Sequence, residues 1–172
     1  MATKQNIVNL AMSTTVHIII IDVELEYTEL GRQLGAEIIE ISANSKNRIN
    51  ALNMVEDYGD ENPIALKSEF LMSVFEQLLG TGNLGPQAKS MIDRCMENVY
   101  RDYLKDFSGD PPTLKEFYAE LQRQDEDLAR ELALAIELFV NGSLDIFAHQ
   151  TNVNLNNRII IFDIFELGKH LK

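Results

Sequence analysis

Two short runs of β-branched residues constrain the fold of this chain more than any other feature. Residues 16–21 read Val-His-Ile-Ile-Ile-Ile, and residues 158–164 read Arg-Ile-Ile-Ile-Phe-Asp-Ile. An apolar run without alternation is typical of a strand covered on both faces, as in parallel sheets. A further apolar strand at 36–41 follows a short predicted helix at 28–34 that Gly35 ends. The two ends of the chain therefore predict a parallel α/β sheet.

The middle of the chain has the pattern of helices instead. From residue 64 to 142, apolar residues recur at the three-four spacing of amphipathic helices. Thr113 and Glu116 form the pattern of a capping box at the start of one of these helices. We therefore expect an α/β part at 1–62, a helical insert at 63–142 and a return to α/β at 143–172. The predicted helical core comprises Phe70, Val74, Leu78, Ile92, Met96, Leu132 and Ile136.

Charge and cysteine content exclude several classes of function. The chain of 172 residues has 15 Lys and Arg against 27 Asp and Glu, a net charge of −12. Such a chain repels phosphate backbones, so we expect no direct nucleic-acid binding. Cys95 is the single cysteine, which excludes an internal disulfide and fits a reducing compartment. With no apolar run of membrane-helix length and no signal-peptide pattern, we expect a cytoplasmic location.

Several familiar motifs are incomplete here. The glycines of 80–85 match the spacing of a dinucleotide loop, but a helix precedes them where a strand is needed, so we predict a helix–helix loop. No Gly-Lys-Ser or Gly-Lys-Thr occurs, so the chain itself has no visible nucleotide or cofactor site. His17, His149 and His170 lack metal-ligand spacing, and Cys95 lies on an apolar helix face, which indicates a packed thiol.

An acidic segment follows the first predicted strand directly. It contains Asp22, Glu24 and Glu26. Ligands of open α/β sheets bind outside the carboxyl ends of the strands, so these acids could hold a metal or orient a water molecule. They could also be a solvated acidic strand end, and spacing alone favours this second interpretation.

These residues resemble a known family. Residues 18–22 with Glu24, Glu26 and Tyr27 resemble its Asp-Pro-Glu-Gly-Glu-Tyr segment, and four later segments follow the family in order: 39–50, 58–71, 113–121 and 132–171. The family is that of the VirB/Tra-type conjugative-transfer ATPases of type IV secretion systems, which are related to hexameric DNA-pumping motors.

The resemblance implies a partial RecA-like, three-layer P-loop NTPase core with an all-helical insert. It implies that the chain is an internal piece of the motor domain, lacking the phosphate loop and the second acidic motor strand. The parent family uses ATP and Mg²⁺ to drive DNA or protein transfer. It acts as a hexamer with other secretion-system subunits at the inner face of the cytoplasmic membrane. We therefore expect this chain to need the remaining motor segments and to be inactive alone.

The resemblance also assigns roles to the acidic segment. Asp22 corresponds to the family acid near the metal and the γ-phosphate, with Glu24 and Glu26 completing the catalytic segment. Val23 and Leu25 stand where the family has proline and glycine, and a leucine is costly if its position requires positive φ. In its catalytic role we expect Asp22 to be unpaired and crowded by the two glutamates. In a purely structural role, it would instead accept hydrogen bonds from neighbouring backbone amides.

Two alternative functions remain open from the sequence. The helical insert could be a module that docks partner subunits, in which case it should retain exposed apolar patches after folding. The chain could also be an unrelated acidic enzyme that uses Asp22, Glu24 and Glu26 with a divalent metal.

Overall fold

The chain divides into two compact units. The computed structural model describes residues 2–55 and 62–170, without the side chains of residues 2 and 168–170. Met1–Arg48 and Asn152–Lys172 form one unit, here called the sheet unit, and Ile49–Thr151 form the other, here called the helical unit. None of the helices within the described ranges is long and apolar enough to cross a membrane.

The sheet unit contains a parallel three-stranded sheet, as the apolar runs predict. Its strands are β1 (Ile18–Asp22), β2 (Glu37–Glu40) and β3 (Ile159–Asp163). The order is β1-β3-β2, so the strand nearest the end of the chain lies between the first two. Ile159, Ile160 and Ile161 of this central strand are all buried. β3 is the most continuously buried strand, because its central position gives its side chains neighbours from the strands on both sides.

Three helices belong to the sheet unit: α1 (Ala2–Ser13), α2 (Thr28–Gln33) and α7 (Phe165–His170). The guanidinium of Arg158 holds the end of α1 by donating to the carbonyls of Ala11 and Thr14 at 2.6 Å each. Gly31 lets α2 approach β3, because a Cβ at this position would lie 2.3 Å from the Ile161 side chain. Gly35 follows α2 with φ +71°, the left-handed conformation that its position predicts.

One face of β1 is open, which corrects the prediction that this strand is covered on both faces. Ile18 is buried, whereas Ile19 and Ile21 are 66% and 64% exposed. Alternate residues of a strand point to opposite faces, so a single uncovered face accounts for the pattern. A run of isoleucines predicts that both faces of a strand are apolar, but it does not show which face is covered by another element of the fold.

The helical unit is built from four helices: α3 (Pro63–Leu79), α4 (Pro86–Tyr100), α5 (Leu114–Gln122) and α6 (Asp127–Val140). They enclose one cluster of 20 buried apolar residues. The predicted core positions Ile92, Met96, Leu132 and Ile136 belong to it. The phenol of Tyr100, buried in the same cluster, donates a hydrogen bond to the carbonyl of Leu52.

The buried face of α3 differs from the predicted one. Leu71 and Phe75 are fully buried, whereas Phe70 and Leu78 are exposed and Val74 is half-buried. The predicted core positions Phe70 and Leu78 are therefore wrong. Apolar residues cover more than one side of α3, so its spacing alone leaves the inward face ambiguous.

Polar contacts fix the start of α5 and connect the two ends of this unit. Thr113 and Glu116 form the predicted capping box, in which the Thr113 side chain accepts from the α5 backbone and Glu116 accepts from the Thr113 N–H at 2.8 Å. Asn50, which is buried, donates to the carbonyl of Pro112 and to the side chain of Gln150. Asn50 thereby ties the first residues of the unit to its last ones.

Candidate functional site at the carboxyl edge of the sheet

The parallel strands bring three acidic residues to one edge of the sheet. Asp22 ends β1, Asp163 ends β3 and Glu40 ends β2. In register, Asp163 pairs with both Asp22 and Glu40. This is the edge at which ligands of α/β sheets bind, so it is the candidate functional site of the sheet unit.

Asp22 is almost fully buried, at 1% exposure, and its carboxylate accepts three backbone hydrogen bonds. Oδ2 accepts from the N–H of Tyr27 at 2.8 Å, and Oδ1 accepts from those of Glu26 at 3.0 Å and Glu24 at 3.3 Å. The expectation of an unpaired Asp22 is therefore wrong, because the following turn folds back over the carboxylate. Bonds of this kind, from amides to an ionised acceptor, are among the stronger ones in proteins.

The turn held by Asp22 contains a leucine in a left-handed conformation. Leu25 has φ +59°. The side chain of an L-residue at such φ crowds its own backbone, at a cost of roughly 1–2 kcal/mol. The suspicion that this position requires positive φ is thus confirmed, and the leucine is strained where glycine would not be.

The structure does not gather the three predicted catalytic acids into one group. Glu24 and Glu26 contact Asp22 through their backbone N–H groups, while both residues are exposed. Across residues 2–55 and 62–170, no group of three or more His, Cys, Asp or Glu side chains could hold a metal ion. The site therefore combines one structural carboxylate with two glutamates displayed on an exposed turn.

The other two edge acids also have hydrogen-bond partners. Asp163 accepts from the N–H of Phe165 at 3.1 Å and so caps the start of α7. Glu40 accepts from the hydroxyl of Ser42 at 2.8 Å. Sequence reasoning did not select these two acids, although each, like Asp22, directly follows an apolar strand. An acid placed directly after a buried strand is the signal that would have found them.

Lys4 is a further neighbour of this site that was not selected from the sequence. Its ammonium lies 5.5 Å from the centre of the Tyr27 ring. Tyr27 precedes the first residue of α2 and donates its N–H to Asp22. This cation–π contact connects α1 to the acidic turn through the aromatic residue that closes it.

Two other sequence predictions are confirmed. The glycine-rich segment lies between α3 and α4, so it is a helix–helix loop, with Gly80 at φ +91° and Gly82 at φ +85°. Cys95 is fully buried. Burial, with the nearby charge of Glu120, raises the pKa of its thiol to about 11. The thiol is therefore protonated at neutral pH and unsuited to nucleophilic chemistry.

His149, which the sequence shows without metal-ligand spacing, has two polar neighbours within the helical unit. Its Nε2 lies 2.7 Å from Oδ2 of Asp145, and the ammonium of Lys115 lies 3.4 Å from its ring nitrogens. The group joins the start of α5 to the end of the helical unit.

Comparison with known proteins identifies the fold. No protein-family model and no curated protein matches the chain. Among solved structures, it is similar to VirB4 of Thermoanaerobacter pseudethanolicus, with a TM-score of 0.76 and 24% sequence identity. The match covers 96% of this chain, which spans 65% of the length of that VirB4 chain. VirB4 is a type IV secretion ATPase, so the resemblance seen in the sequence is confirmed at the level of the fold.

Proposed function

We propose that this chain forms part of the motor domain of a type IV secretion ATPase, which hydrolyses ATP to drive DNA or protein transfer. The observation that carries the proposal is the fold similarity to VirB4 over 96% of the chain. The quoted sequence segments, which follow the same family in order, support it independently. In this proposal the sheet unit belongs to a RecA-like core, and the helical unit is its insert.

The residues of this chain do not by themselves fit a complete site for ATP and Mg²⁺. The sequence has no Gly-Lys-Ser or Gly-Lys-Thr, and the acids of the described part form no metal-binding group. In the proposal, other segments of the motor therefore supply the phosphate contacts, and this chain alone neither binds ATP tightly nor hydrolyses it.

Asp22 has a positioning role in this proposal. An ionised carboxylate offers about four acceptor positions, and the Asp22 carboxylate uses three of them to hold the turn. This turn presents Glu24 and Glu26 at the carboxyl edge of the sheet. We propose that these two glutamates face the nucleotide site of the assembled motor, with Asp22 fixing their backbone and its remaining acceptor position available to a metal-bound water.

The open face of β1 supports a larger assembly. Ile19 and Ile21 are exposed, and β1 lies at the edge of the described sheet. Exposed apolar residues on an edge strand are a liability unless another element covers them. We propose that further motor segments cover this face, and that the motor is a homo-hexamer that binds other secretion-system subunits on the cytoplasmic side of the membrane.

Calorimetric titration with ATP and Mg²⁺ tests the inactivity of the chain. We expect no binding at micromolar concentration. A Kd near 1 µM, about −8 kcal/mol, would contradict the proposal that the phosphate contacts come from elsewhere. The DNA upstream of this reading frame gives a second test, since the proposal expects codons for Gly-Lys-Ser or Gly-Lys-Thr there.

The second alternative, a metal-dependent enzyme built on Asp22, Glu24 and Glu26, is not supported by the geometry. The two glutamates contact the Asp22 carboxylate through their backbone N–H groups and not through their carboxylates. Titration with Mn²⁺ in the absence of nucleotide tests this alternative. Saturable Mn²⁺ binding that Glu24→Gln weakened would support a metal-dependent enzyme.

A further inference from the structure

The helical unit contains a cavity of about 250 Å³ that is lined by apolar residues. Its volume is below the roughly 300–1,000 Å³ of typical small-molecule sites, and none of the lining side chains is polar. A cavity of this size and lining suits one or two apolar side chains of a partner rather than a polar metabolite. The walls come mainly from α3 and α6 and include Phe70, Leu71, Val74, Ile136, Phe139 and Phe147.

The same side of α3 extends the apolar surface beyond the cavity. Phe70 lines the cavity and is 42% exposed, and Leu66, which is also exposed, lies four residues before it on the same helix face. An exposed aromatic side chain beside an open apolar cavity is typical of a surface at which another protein binds.

The charge of the helical unit indicates what kind of partner fits this surface. Ile49–Thr151 contain 19 acidic and 8 basic residues, a net charge of −11, whereas the sheet unit has a net charge of only −1. Nearly all the excess negative charge of the protein is therefore concentrated in the unit that contains the apolar cavity. Such a field attracts a positively charged partner and repels an acidic one.

Two lysines lie near the cavity, and both contact groups of their own unit. The ammonium of Lys67 lies 5.8 Å from the centre of the Phe70 ring and donates to the carbonyl of Ala51, and burial lowers its pKa. The ammonium of Lys115 lies 3.4 Å from the ring nitrogens of His149. Glu69, beside Phe70, is exposed. Both lysines are already included in the eight basic residues of the unit, whose net charge remains −11.

We propose that this cavity and the adjoining face of α3 bind a basic amphipathic helix of a partner protein, with an apolar side chain of that helix entering the cavity. The binding mode is that of a helix in a groove, in which the apolar face supplies contact area and the basic face meets the acidic unit. The proposal depends on the helical unit alone and does not rest on the assignment as a motor ATPase.

A fluorescence-anisotropy titration of the full chain tests this proposal with a labelled Leu/Lys amphipathic peptide of about 16 residues, long enough for a helix. We expect a Kd in the range of about 1–100 µM at low salt. A Leu/Glu peptide of the same pattern should not bind, and a Ser/Lys peptide, which keeps the charge without the apolar face, should bind at least about tenfold more weakly.

Two variants with the same charge change locate the binding surface. Phe70→Glu places a carboxylate at the cavity, and Leu134→Glu places one at a position of α6 that is 67% exposed and does not line the cavity. We expect Phe70→Glu to weaken peptide binding at least about tenfold and Leu134→Glu to change it less than about twofold. Phe70→Ala, which adds no charge, is the second cavity variant, and circular dichroism checks that all three variants are folded.

Four outcomes would overturn the proposal. These are no binding of the Leu/Lys peptide, equal binding of the Leu/Glu peptide, equal loss of binding in Phe70→Glu and Leu134→Glu, and full retention of binding in folded Phe70→Ala. Saturable binding of the small aromatic dye 1-anilinonaphthalene-8-sulfonate, which is an anion, without binding of the Leu/Lys peptide would also overturn it, since the cavity would then accept a small molecule instead.

Discussion

The helical unit and the sheet unit bury their apolar residues to different extents. In the helical unit, four helices enclose a cluster of 20 buried residues. In the described part of the sheet unit, only eight apolar residues are buried, three of them in the cluster where α1 meets β1 and β3, while two isoleucines of β1 remain exposed on its open face. The helical unit therefore has most of what an independent fold needs, whereas the sheet unit displays apolar surface that another element would cover.

The two units also differ in net charge. The helical unit has a net charge of −11 and the sheet unit of −1. In the sheet unit, acids occupy specific positions at the ends of strands, where they accept backbone or hydroxyl hydrogen bonds. In the helical unit, acids such as Glu116 also accept local hydrogen bonds, and their excess over basic residues gives this unit in addition a strong negative field.

The first prediction has the largest expected effect on stability, and it compares an Ile→Ala substitution in the helical unit with one in the sheet unit. Ile92 is fully buried in the helical core, so Ile92→Ala should lower the free energy of unfolding by about 2–5 kcal/mol. Ile21 is exposed on the open face of β1, so Ile21→Ala should change it by less than about 0.5 kcal/mol. Urea denaturation followed by circular dichroism measures both. Equal losses would show that the open face of β1 is covered in solution, for instance by self-association.

The second prediction concerns Asp22. Asparagine has one carbonyl oxygen, and its amide group would face backbone N–H groups that now donate to the carboxylate. We expect Asp22→Asn to destabilise the chain by about 1–3 kcal/mol, measured by thermal melting. Glu24→Gln is the control, because it removes one charge from an exposed residue of the same turn.

A stable Asp22→Asn variant would mean that the turn does not depend on this carboxylate. The same substitution in an intact ATPase of this fold should reduce ATP turnover. If Asp22 acts on turnover by holding the turn, hydrogen exchange of the amides of Glu26 and Tyr27 should quicken at the same time. Loss of turnover with unchanged exchange would instead indicate direct contact with the metal or nucleotide.

The third prediction tests the capping box of the helical unit. Thr113→Ala removes the side-chain acceptor at the start of α5 and should cost about 1 kcal/mol. Burial opposes ionisation of Glu116, but its hydrogen bonds with Thr113 outweigh that effect and keep the pKa of Glu116 below its usual value. Because the pKa is lower in the folded state, this stabilisation is present above the unfolded-state pKa near 4.3 and is lost as the pH falls through the folded pKa.

Urea titrations at pH 7 and at about pH 3 compare the stability of Thr113→Ala with that of the unsubstituted chain above and below the pKa of Glu116. The difference in stability between the two proteins should shrink at the lower pH. Glu131→Gln on α6, an exposed position without such a box, serves as the control. A difference that stayed constant with pH would show that Glu116 does not contribute to the cap.

The smallest expected effect concerns the strained turn. Leu25→Gly removes a cost of about 1–2 kcal/mol for positive φ but adds about 0.5–1 kcal/mol of backbone entropy, so a net stabilisation of about 0.5 kcal/mol is expected. Val23→Gly, at an exposed position of the same turn without positive φ, should not stabilise. Thermal melting distinguishes the two, and equal shifts would contradict the strain at Leu25.

The sequence was sufficient for features that depend on residues close together in the chain. The capping box at Thr113, the left-handed Gly35, the glycine-rich loop and the existence of all three strands follow from patterns spanning only a few residues. The resemblance to type IV secretion ATPases likewise depended on the order of segments along the chain and not on tertiary contacts. The local basis of these features is why they could be predicted without any knowledge of tertiary contacts.

Tertiary structure decided the features that depend on distant partners. The place of β3 between β1 and β2, the open side of β1 and the inward face of α3 could not be predicted, because each element is apolar on more than one side. Asp22 shows the same limit at the candidate site. The sequence put an acid at the end of a strand, and only the folded turn, which brings three N–H groups within 3.3 Å, made it a buried structural acceptor.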